Sequence, residues 1–355
     1  MFTNKLDFDF ETNQKIISKI SKIDLFKGKW KAIAEKENRY LKELRRIATI
    51  ESIGSSTRIE GATLDDKEVE KLLHNVKVTK FVTRDEQEVV GYYETLSIIF
   101  DDYKSIELSE NYISQFHGIL LKESDKDQRH RGRYKSLSNK VVATYPDGKQ
   151  KVIFNTTEPH LVKKEMSELV EWVNSQFSES ILHPLIIISA FVYEFLSIHP
   201  FQDGNGRLSR LLTTLLLLKN DYDFVQYISF EHIIEERKKD YYKALMEGQK
   251  NRNTKKEKID KWIFFFLSSL ETLIQRLEIK YDTFQNQKGY INDRQKSIIQ
   301  IFEKNKPLKV RDIHKEIGGS INTLKKDLTY LVAEKYLEKF GVGRGTIYLV
   351  KNNNT

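Results

Sequence analysis

A polar stretch between two apolar runs carries the side chains that could do chemistry in this sequence. It extends from His199 to Arg210 and follows the apolar run 181–198. Histidine exchanges a proton near neutral pH. Asp203 is a hard oxygen ligand, of the type that Mg²⁺ takes when the ion also holds substrate phosphates. The stretch therefore combines a base with a carboxylate for a metal.

The glycines and arginines of the same stretch indicate an anion site. Gly204, Asn205 and Gly206 tolerate a positive φ at little cost, so their backbone N–H groups can turn inward. A second apolar run follows, and a helix that begins there would add the positive end of its dipole. Arg207 and Arg210 are three residues apart, so both fall on one side of that helix and can reach the same anion.

The complete string is more specific than its parts. A Gly-x-Gly followed by Arg is a weak signal alone, and a histidine after a buried helix is often structural. The string from His199 to Arg210 resembles the signature of the Fic family, H-P-F-x-[D/E]-G-N-G-R-x-x-R, at every specified position. Gln202, Leu208 and Ser209 occupy the unspecified positions.

The resemblance implies a fold and an activity. The fold is a Fic-type helical core, and the activity is transfer of AMP from ATP to a Ser, Thr or Tyr hydroxyl of a protein, which can be the chain itself. His199 corresponds to the catalytic base, and Asp203 to the ligand of Mg²⁺. The implied ATP-binding residues of the signature are Asp203, Gly204, Asn205, Gly206, Arg207 and Arg210.

A short motif well before the signature has two interpretations. Ser56 and Glu60 are one helical turn apart, and Gly61 follows directly. From the residues alone, this is a helix end with a solvated glutamate. The motif also resembles the Fic inhibitory motif, [S/T]-x-x-x-E-[G/N]. That resemblance implies a salt bridge from Glu60 to Arg210, which blocks the seat of the ATP γ-phosphate and inhibits the enzyme.

A β-hairpin is predicted over residues 141–154. Two runs of β-forming residues flank Pro146-Asp147-Gly148, a turn sequence. The residues alone do not distinguish this hairpin from an ordinary surface hairpin. By resemblance it is the Fic flap, which clamps the target segment as an edge strand. The flap residues placed beside ATP are Lys151, Val152, Ile153 and Phe154.

Tyr241 and His117 can each be interpreted as a core residue or as a residue of the site. Tyr241 and Tyr242 begin a helix, where aromatic residues usually belong to the core. In Fic relatives a tyrosine from such a pair packs near the adenine, which implies Tyr241 as an ATP-binding residue. His117 is expected to be a packed core histidine, because it is a single histidine with no other candidate reactive residue beside it in the sequence.

Composition excludes several classes of protein. The 355 residues include no cysteine, which excludes disulfides, thiol catalysis and cysteine-ligated metals. No signal peptide is expected at the start of the chain. His183, Pro184 and Glu194 interrupt the apolar run 181–198, so a buried helix is expected rather than a membrane span, and a cytoplasmic location follows as the default.

The pattern predicts a mainly α fold in three regions. They are an N-terminal helical region (1–105), a central region (106–285) and a region similar to a winged helix-turn-helix (290–355). By the resemblance, the first contains the inhibitory helix and the second is the Fic catalytic domain. Among the expected helices are 13–23, 30–53, 160–175 with a buried Trp172, and a single helix over 231–248.

The C-terminal region leaves its partner open. Residues 291–350 contain twelve Lys and Arg against seven Asp and Glu, which permits DNA contact. Asn322, Thr323, Lys325 and Lys326 would face a groove. Winged helices also serve for protein docking or homodimer formation. The alternative functions are therefore a DNA-binding regulator with a nucleotide-sensing Fic core, and a Fic enzyme that removes AMP or transfers another phosphate-bearing group such as phosphocholine.

Overall fold

The chain divides into two compact units, described here from a computed structural model. The structure describes residues 4–34, 38–75, 81–144, 150–286, 293–302, 306–334, 336–341 and 343–350. The first unit is Met1–Leu277 and the second is Glu278–Thr355. The three-region division of the sequence stays a prediction.

In its described part the first unit contains one hairpin and eleven α-helices, the last of which continues past the end of the unit at Leu277. The helices are α1 (Phe10–Ala34), α2 (Asn38–Ile59), α3 (Asp66–His74), α4 (Arg84–Asp102), α5 (Glu110–Leu120), α6 (Pro159–Glu179), α7 (Pro184–Ile198), α8 (Asn205–Lys219), α9 (Phe230–Glu236), α10 (Lys238–Gln249) and α11 (Asp260–Asn286). The strands are β1 (Lys140–Thr144) and β2 (Gln150–Asn155), which pair in antiparallel fashion. The prediction of a mainly α fold with a β-hairpin is confirmed.

The centre of this unit is α7, which packs between α6 and α8. Every residue of α7 from Leu185 to Ile198 is buried, as is every residue of α8 from Arg207 to Leu218. A helix that is apolar on all sides is stable only inside a core, where each large apolar side chain contributes roughly 1.5–3 kcal/mol. The two helices hold the short loop between them in a fixed place.

Local capping signals define several helix starts. The N-cap Asp65 of α3 and the N-cap Thr83 of α4 both form a capping box with a glutamate three residues later. The predicted serine cap of α5 is confirmed, because Ser109 accepts a hydrogen bond from the backbone N–H of Tyr112. These ends are set by residues close together in the chain.

Some predicted helix bounds were wrong. Trp30 belongs to α1, since it continues the buried stripe of Ile16, Ile20, Ile23 and Phe26, and α2 begins only at Asn38. The single helix expected over 231–248 is two helices, with a break at Arg237, where the backbone leaves helical geometry. Trp172 of α6 is half-buried rather than buried.

The predicted hairpin strands are confirmed. Lys140 pairs with Asn155 and Thr144 with Gln150, and a bulge follows Val141. The predicted Pro146-Asp147-Gly148 turn lies outside the described residues.

The second unit has its own small core. Its elements are α12 (Asp293–Ile301), β3 (Leu308–Lys309), α13 (Val310–Ile317), α14 (Ile321–Ala333), β4 (Leu337–Phe340) and β5 (Ile347–Val350). The strands form an antiparallel sheet in the order β3-β5-β4, and the core includes Phe302, Leu328 and Tyr348. Gly318 and Gly319 have positive φ in the turn before α14. This arrangement is consistent with a winged helix, which stays a prediction.

The long apolar run forms a buried helix, as expected. Its helix, α7, has 15 residues and lies in the core. Within the described ranges, no helix combines the length and the apolar character that crossing a bilayer requires.

Gly91 tests the packing of α4 on α5. A Cβ on Gly91 would lie 2.0 Å from the backbone oxygen of Leu120, which cannot turn aside as a side chain could. We therefore expect Gly91→Ala to lower the free energy of unfolding by about 1–3 kcal/mol, the usual cost of overpacking. Denaturant unfolding measures this difference.

Gly118→Ala is the matched control. Gly118 lies in α5, and a Cβ there would have no atom within 4 Å. Since Ala is about 1 kcal/mol better than Gly inside a helix, this variant should lose no stability. An equal loss in both variants would contradict the packing argument.

Candidate active site

A cavity of about 210 Å³ lies at the loop that joins α7 to α8. Its polar and charged lining comes from Glu60, the signature loop, the hairpin region and the tyrosines of α10. The lining residues are Glu60, Asn139, Lys140, Val141, Val142, Phe154, Leu196, His199, Gln202, Asp203, Gly204, Asn205, Gly206, Arg210, Tyr241, Tyr242 and Leu245.

The loop has an unusual backbone that side chains stabilise. His199 caps the C-terminus of α7 with φ 53°, and Gly204 precedes α8 with φ 78°. Both values lie in the left-handed region, which costs a non-glycine residue free energy. The Asn205 amide closes the loop, because it accepts from the N–H of Phe201 at 2.9 Å and donates to its oxygen at 2.8 Å. What Asn205 offers to the cavity is therefore mainly its backbone.

His199 is oriented as a base. Its Nδ1 lies 3.3 Å from the backbone oxygen of Leu196, and a carbonyl only accepts, so Nδ1 carries the proton and Nε2 keeps its lone pair. Burial, and then the positive charge of Lys135, lower the pKa of His199 to about 4. The imidazole is therefore neutral at neutral pH and able to accept a proton.

Glu60 and Arg210 form an ion pair in the same cavity. The Nη2 atom of Arg210 donates to Glu60 Oε1 at 2.8 Å and to the backbone oxygen of Ser56 at 2.9 Å, and its Nε donates to Ser56 Oγ at 2.8 Å. Burial raises the pKa of the Glu60 carboxyl, but the charge and hydrogen bond of Arg210 outweigh burial and the pKa lies below its usual value. The carboxylate is therefore ionised.

The Glu60 carboxylate occupies the place of an anion at the start of α8. A Cβ on Gly206 would lie 2.1 Å from Glu60 Oε1, so only glycine permits this approach. The N-cap residue of α8 is Gly204, which has no side chain to cap the first turn. Backbone N–H groups of this turn are therefore left for a ligand.

Asp203 is held by positive partners. Its Oδ2 accepts from Lys126 at 2.8 Å, and its Oδ1 accepts from the N–H of Gly204 at 2.6 Å and from Arg207 at 3.4 Å. Burial raises the pKa of Asp203, but Arg207 and then Lys126 lower it well below the usual range. Arg207 does not line the cavity. It is buried beside Asp203, with Nη1 3.3 Å from Glu88 Oε2.

The donor set sets limits on a metal. In the part of the chain that the structure describes, no group of three or more His, Asp or Glu side chains could hold an ion. Asp203 supplies one ionised carboxylate, of which a third is exposed. Mg²⁺ often binds through one carboxylate and takes its other ligands from phosphates and water. The site therefore fits an Mg²⁺ that arrives with a nucleotide, rather than an ion held by the protein alone.

The hairpin contributes less than predicted. Phe154 lines the cavity, whereas Ile153 is buried elsewhere and Val152 is half exposed, and neither is among the lining residues. Successive side chains of a strand alternate between two faces, so a run of four could not all face the cavity. The side chain of Lys151 lies outside the described residues.

The remaining predicted residues have mixed positions. Tyr241 lines the cavity and also packs in the core, where the centroid of its ring lies 5.5 Å from the ring centroid of Trp262. Ser56 does not line the cavity, but it holds Arg210. Gly61 ends the turn after α2 with φ 109° and is not among the lining residues.

Sequence reasoning missed four residues that support the loop. They are Glu88, Lys126 and Lys135, which no sequence motif singles out, and His117, which the sequence places only in the core. His117 is indeed buried. It accepts from the N–H of Gly132 through Nδ1 at 2.8 Å, and its Nε2 lies 3.0 Å from the backbone oxygen of Asp203. The basic stretch 129–134 lies between Lys126 and Lys135 and was the only available signal.

Comparison with known proteins agrees with this geometry. Residues 107–217 match the model of the Fic/DOC family. The matched segment contains α5, the hairpin, α7 and most of α8 with the signature loop. The chain therefore contains a Fic domain.

The curated relatives are protein adenylyltransferases. One from Drosophila willistoni, called protein adenylyltransferase Fic, is 27% identical over 210 residues, which cover 58% of this chain and 39% of the relative. Protein adenylyltransferase fic-1 from Caenorhabditis elegans is 25% identical over 170 residues, which cover 46% of this chain and 30% of the relative. The chain thus spans less than half the length of these two relatives.

Solved structures share the fold. A Fic family protein from Desulfovibrio desulfuricans superposes with a TM-score of 0.67 at 24% identity, over 96% of this chain and 97% of that protein. Fic-1 from C. elegans gives a TM-score of 0.59 at 19% identity, over 76% of this chain and 74% of that protein.

The protonation of His199 can be measured directly. Because its pKa is lowered to about 4, we expect the imidazole to remain neutral, with the proton on Nδ1, from pH 8 down to about pH 5. Nitrogen-detected NMR across this range measures both properties, with His199→Gln to assign the signals. A titration midpoint near the ordinary value of about 6.5 would contradict the structure.

Proposed function

We propose that this chain is a protein adenylyltransferase that transfers AMP from ATP to a Ser, Thr or Tyr hydroxyl of a protein, and that Glu60 inhibits it. The observation that carries the proposal is the Glu60–Arg210 ion pair, 2.8 Å long, in the cavity that also contains the free Nε2 of His199. The relatives named protein adenylyltransferase support the reaction type.

His199 is the base of the proposed reaction. A target hydroxyl gives its proton to Nε2 as its oxygen attacks the α-phosphorus of ATP. The bond from the α-phosphorus to the bridging oxygen of the β-phosphate breaks, and pyrophosphate leaves with that oxygen. The product is a phosphodiester between AMP and the target. A neutral imidazole suits this role because it can accept the proton at neutral pH.

The remaining residues bind the polyphosphate. The free N–H groups of the first turn of α8 and the guanidinium of Arg210 face the negative charge of the β- and γ-phosphates. Asp203 would hold Mg²⁺, which when bound neutralises phosphate charge. Arg207 lies behind Asp203 and keeps it ionised. The cavity also has an apolar part, formed by Leu196, Leu245 and the Tyr241 ring, which suits the adenine base of ATP.

Glu60 competes with the nucleotide for one guanidinium. Arg210 is buried, so it must have an anionic partner, and a carboxylate or a γ-phosphate can fill that place but not both. About a third of the Glu60 side chain is exposed, so it has an outward path. Low activity of the intact chain is the consequence.

The first test removes the carboxylate. We expect Glu60→Gly to raise self-labelling or target labelling from α-labelled ATP by about tenfold or more. One charged hydrogen bond contributes roughly 1.5–3 kcal/mol, and about 1.4 kcal/mol corresponds to a factor of ten. Mass spectrometry of the variant with ATP, Mg²⁺ and host lysate identifies the modified proteins.

Two controls make this test specific. His199→Ala in the Glu60→Gly background should abolish labelling while the fold is retained. Label from γ-labelled ATP should not be transferred, because it leaves with pyrophosphate. Equal labelling with and without Glu60 would remove the inhibition from the proposal, and transfer of γ-label would replace AMP transfer with phosphorylation.

Removal of AMP and transfer of other phosphate-bearing groups remain alternatives within the same chemistry. Arg210 and the first turn of α8 favour a ligand with several phosphates, which supports ATP over phosphocholine donors. A purely nucleotide-sensing core has no use for a base, so the orientation of His199 favours an enzyme.

A second candidate function, DNA contact, rests on the exposed face of α14. Asn322, Thr323, Lys325 and Lys326 are exposed on this helix, whereas Leu324 and Leu328 are buried. Polar and cationic side chains on one face of such a helix suit a DNA groove.

Charge reversal on α14 tests DNA contact. We expect the full chain to bind duplex DNA in a salt-dependent manner, and Lys325→Glu with Lys326→Glu to weaken binding about tenfold or more. Lys163→Glu with Lys164→Glu, on the exposed face of α6, makes the same charge change and should have little effect. An equal effect of both pairs in fluorescence anisotropy would indicate only nonspecific attraction by net charge.

A further inference from the structure

Lys135 is a buried cation that the proposed mechanism does not use. It is 4% exposed. Its ammonium donates to Thr156 Oγ1 at 2.7 Å, to Asn139 Oδ1 at 2.8 Å and to the backbone oxygen of Ile198 at 3.1 Å. An ammonium has three N–H donors, and three oxygens accept them. In the described part of the chain Lys135 forms no ion pair, so a net charge lies buried among neutral partners.

These partners belong to two functional parts of the molecule. Asn139 directly precedes β1, and Thr156 directly follows β2, so both stand at the base of the hairpin. Ile198 is the last residue of α7, and its peptide carries His199. The Lys135 ammonium therefore connects the base of the hairpin to the peptide that carries His199.

The bridge is reinforced on both sides. The backbone N–H of Lys135 donates to the oxygen of Pro200 at 2.8 Å. Asn139 donates to the oxygen of Phe201 at 2.9 Å, and the Thr156 hydroxyl lies 2.6 Å from Asn139 Oδ1. The carbonyls on both sides of His199 are thus held by the segment that leads into the hairpin. This matters because His199 has a left-handed backbone that its own residue type does not favour.

We propose that Lys135 is a positioning residue for the transfer reaction, which ties the peptide of His199 to the base of the hairpin. The assignment rests on the proposed function, together with the expectation from the family resemblance that the hairpin clamps the target segment. A shift of either part would separate the hydroxyl from Nε2, and a misplacement of about 1 Å can cost about 100-fold in rate.

The charge of Lys135 has a second effect on the same imidazole. Burial lowers the pKa of Lys135 to about 8, because it outweighs the charges of Glu158 and Glu165, which raise it, so the ammonium is still charged at neutral pH. Its charge disfavours a proton on His199. The other charged groups that act on His199 are Glu60 and Asp203, which favour that proton, and Arg210 also lines the cavity. Removal of Lys135 therefore leaves Glu60 and Asp203, which both favour the proton on His199. In the Glu60→Gly background Asp203 alone remains.

The test compares Lys135→Met, Lys135→Arg and Arg133→Met in the full chain that carries Glu60→Gly. Methionine fills the space without charge or donors, and Arg133 is an exposed cation of the same segment. We expect Lys135→Met to lower kcat by about 10–100-fold, while the Kd of a non-hydrolysable ATP analogue changes less than about twofold. Lys135→Arg should recover part of kcat, and Arg133→Met should match the parent.

A purely structural role gives a different pattern. Loss of folded protein would lower the number of nucleotide sites and the rate together, with no change in Kd and no change in the pH profile of kcat/KM. Positioning with the charge effect moves the acid limb of that profile upward by about one pH unit. Unchanged kcat, or loss of rate only in proportion to nucleotide sites, would overturn the proposal.

Two further measurements separate this proposal from its premise. If the Glu60→Gly parent shows no transfer, the proposed function fails, but NMR titration of His199 still tests Lys135. The midpoint should rise in Lys135→Met and stay near that of the parent in Lys135→Arg, and an unchanged midpoint in Lys135→Met overturns the assignment. If Lys135→Met does not fold, Thr156→Val removes one of the three acceptors. It should lower kcat by about 3–10-fold at constant nucleotide Kd.

Discussion

The buried guanidinium of Arg210 is the constraint on which the cavity depends. It lies inside the first unit with 3% of its surface exposed, and a buried charge without a partner costs several kcal/mol. Ser56 and Glu60 from the end of α2 supply its hydrogen bonds. The site thus requires an anion at this position at all times. An internal carboxylate and a phosphate are the two ways to satisfy it, and this burial is the physical basis of the proposed inhibition by Glu60.

The same cavity keeps the imidazole of His199 neutral. Positive groups would be expected near a polyphosphate site, and they have opposite effects on the two key side chains. Burial and then Lys135 lower the pKa of His199, whereas Arg207 and Lys126 outweigh burial and lower the pKa of Asp203. The same positive groups therefore leave the imidazole of His199 neutral and the carboxylate of Asp203 ionised, which are the forms that the proposed roles require.

Side chains from outside the signature hold the loop in place. The backbone oxygens of Ile198, Phe201 and Asp203 each have a partner from the segment 117–139, namely Lys135, Asn139 and His117. The loop contains left-handed residues and would not keep this shape alone. The reactive residues are consequently presented by the signature but positioned by helix α5 and the segment that leads into the hairpin.

The sequence by itself determined the local features: the apolar helices α7 and α8, the serine cap of α5, the paired strands β1 and β2, and the signature that indicates a Fic domain. These depend on residues close together in the chain, whose spacing reports their role. Only the tertiary structure decided that Arg207 supports Asp203 instead of lining the cavity, that Trp30 belongs to α1, and that Lys135 reaches Ile198. The Glu60–Arg210 pair joins residues 150 positions apart, and it entered only through the family resemblance. Burial and long-range hydrogen bonds depend on how the elements pack, which residue spacing does not record.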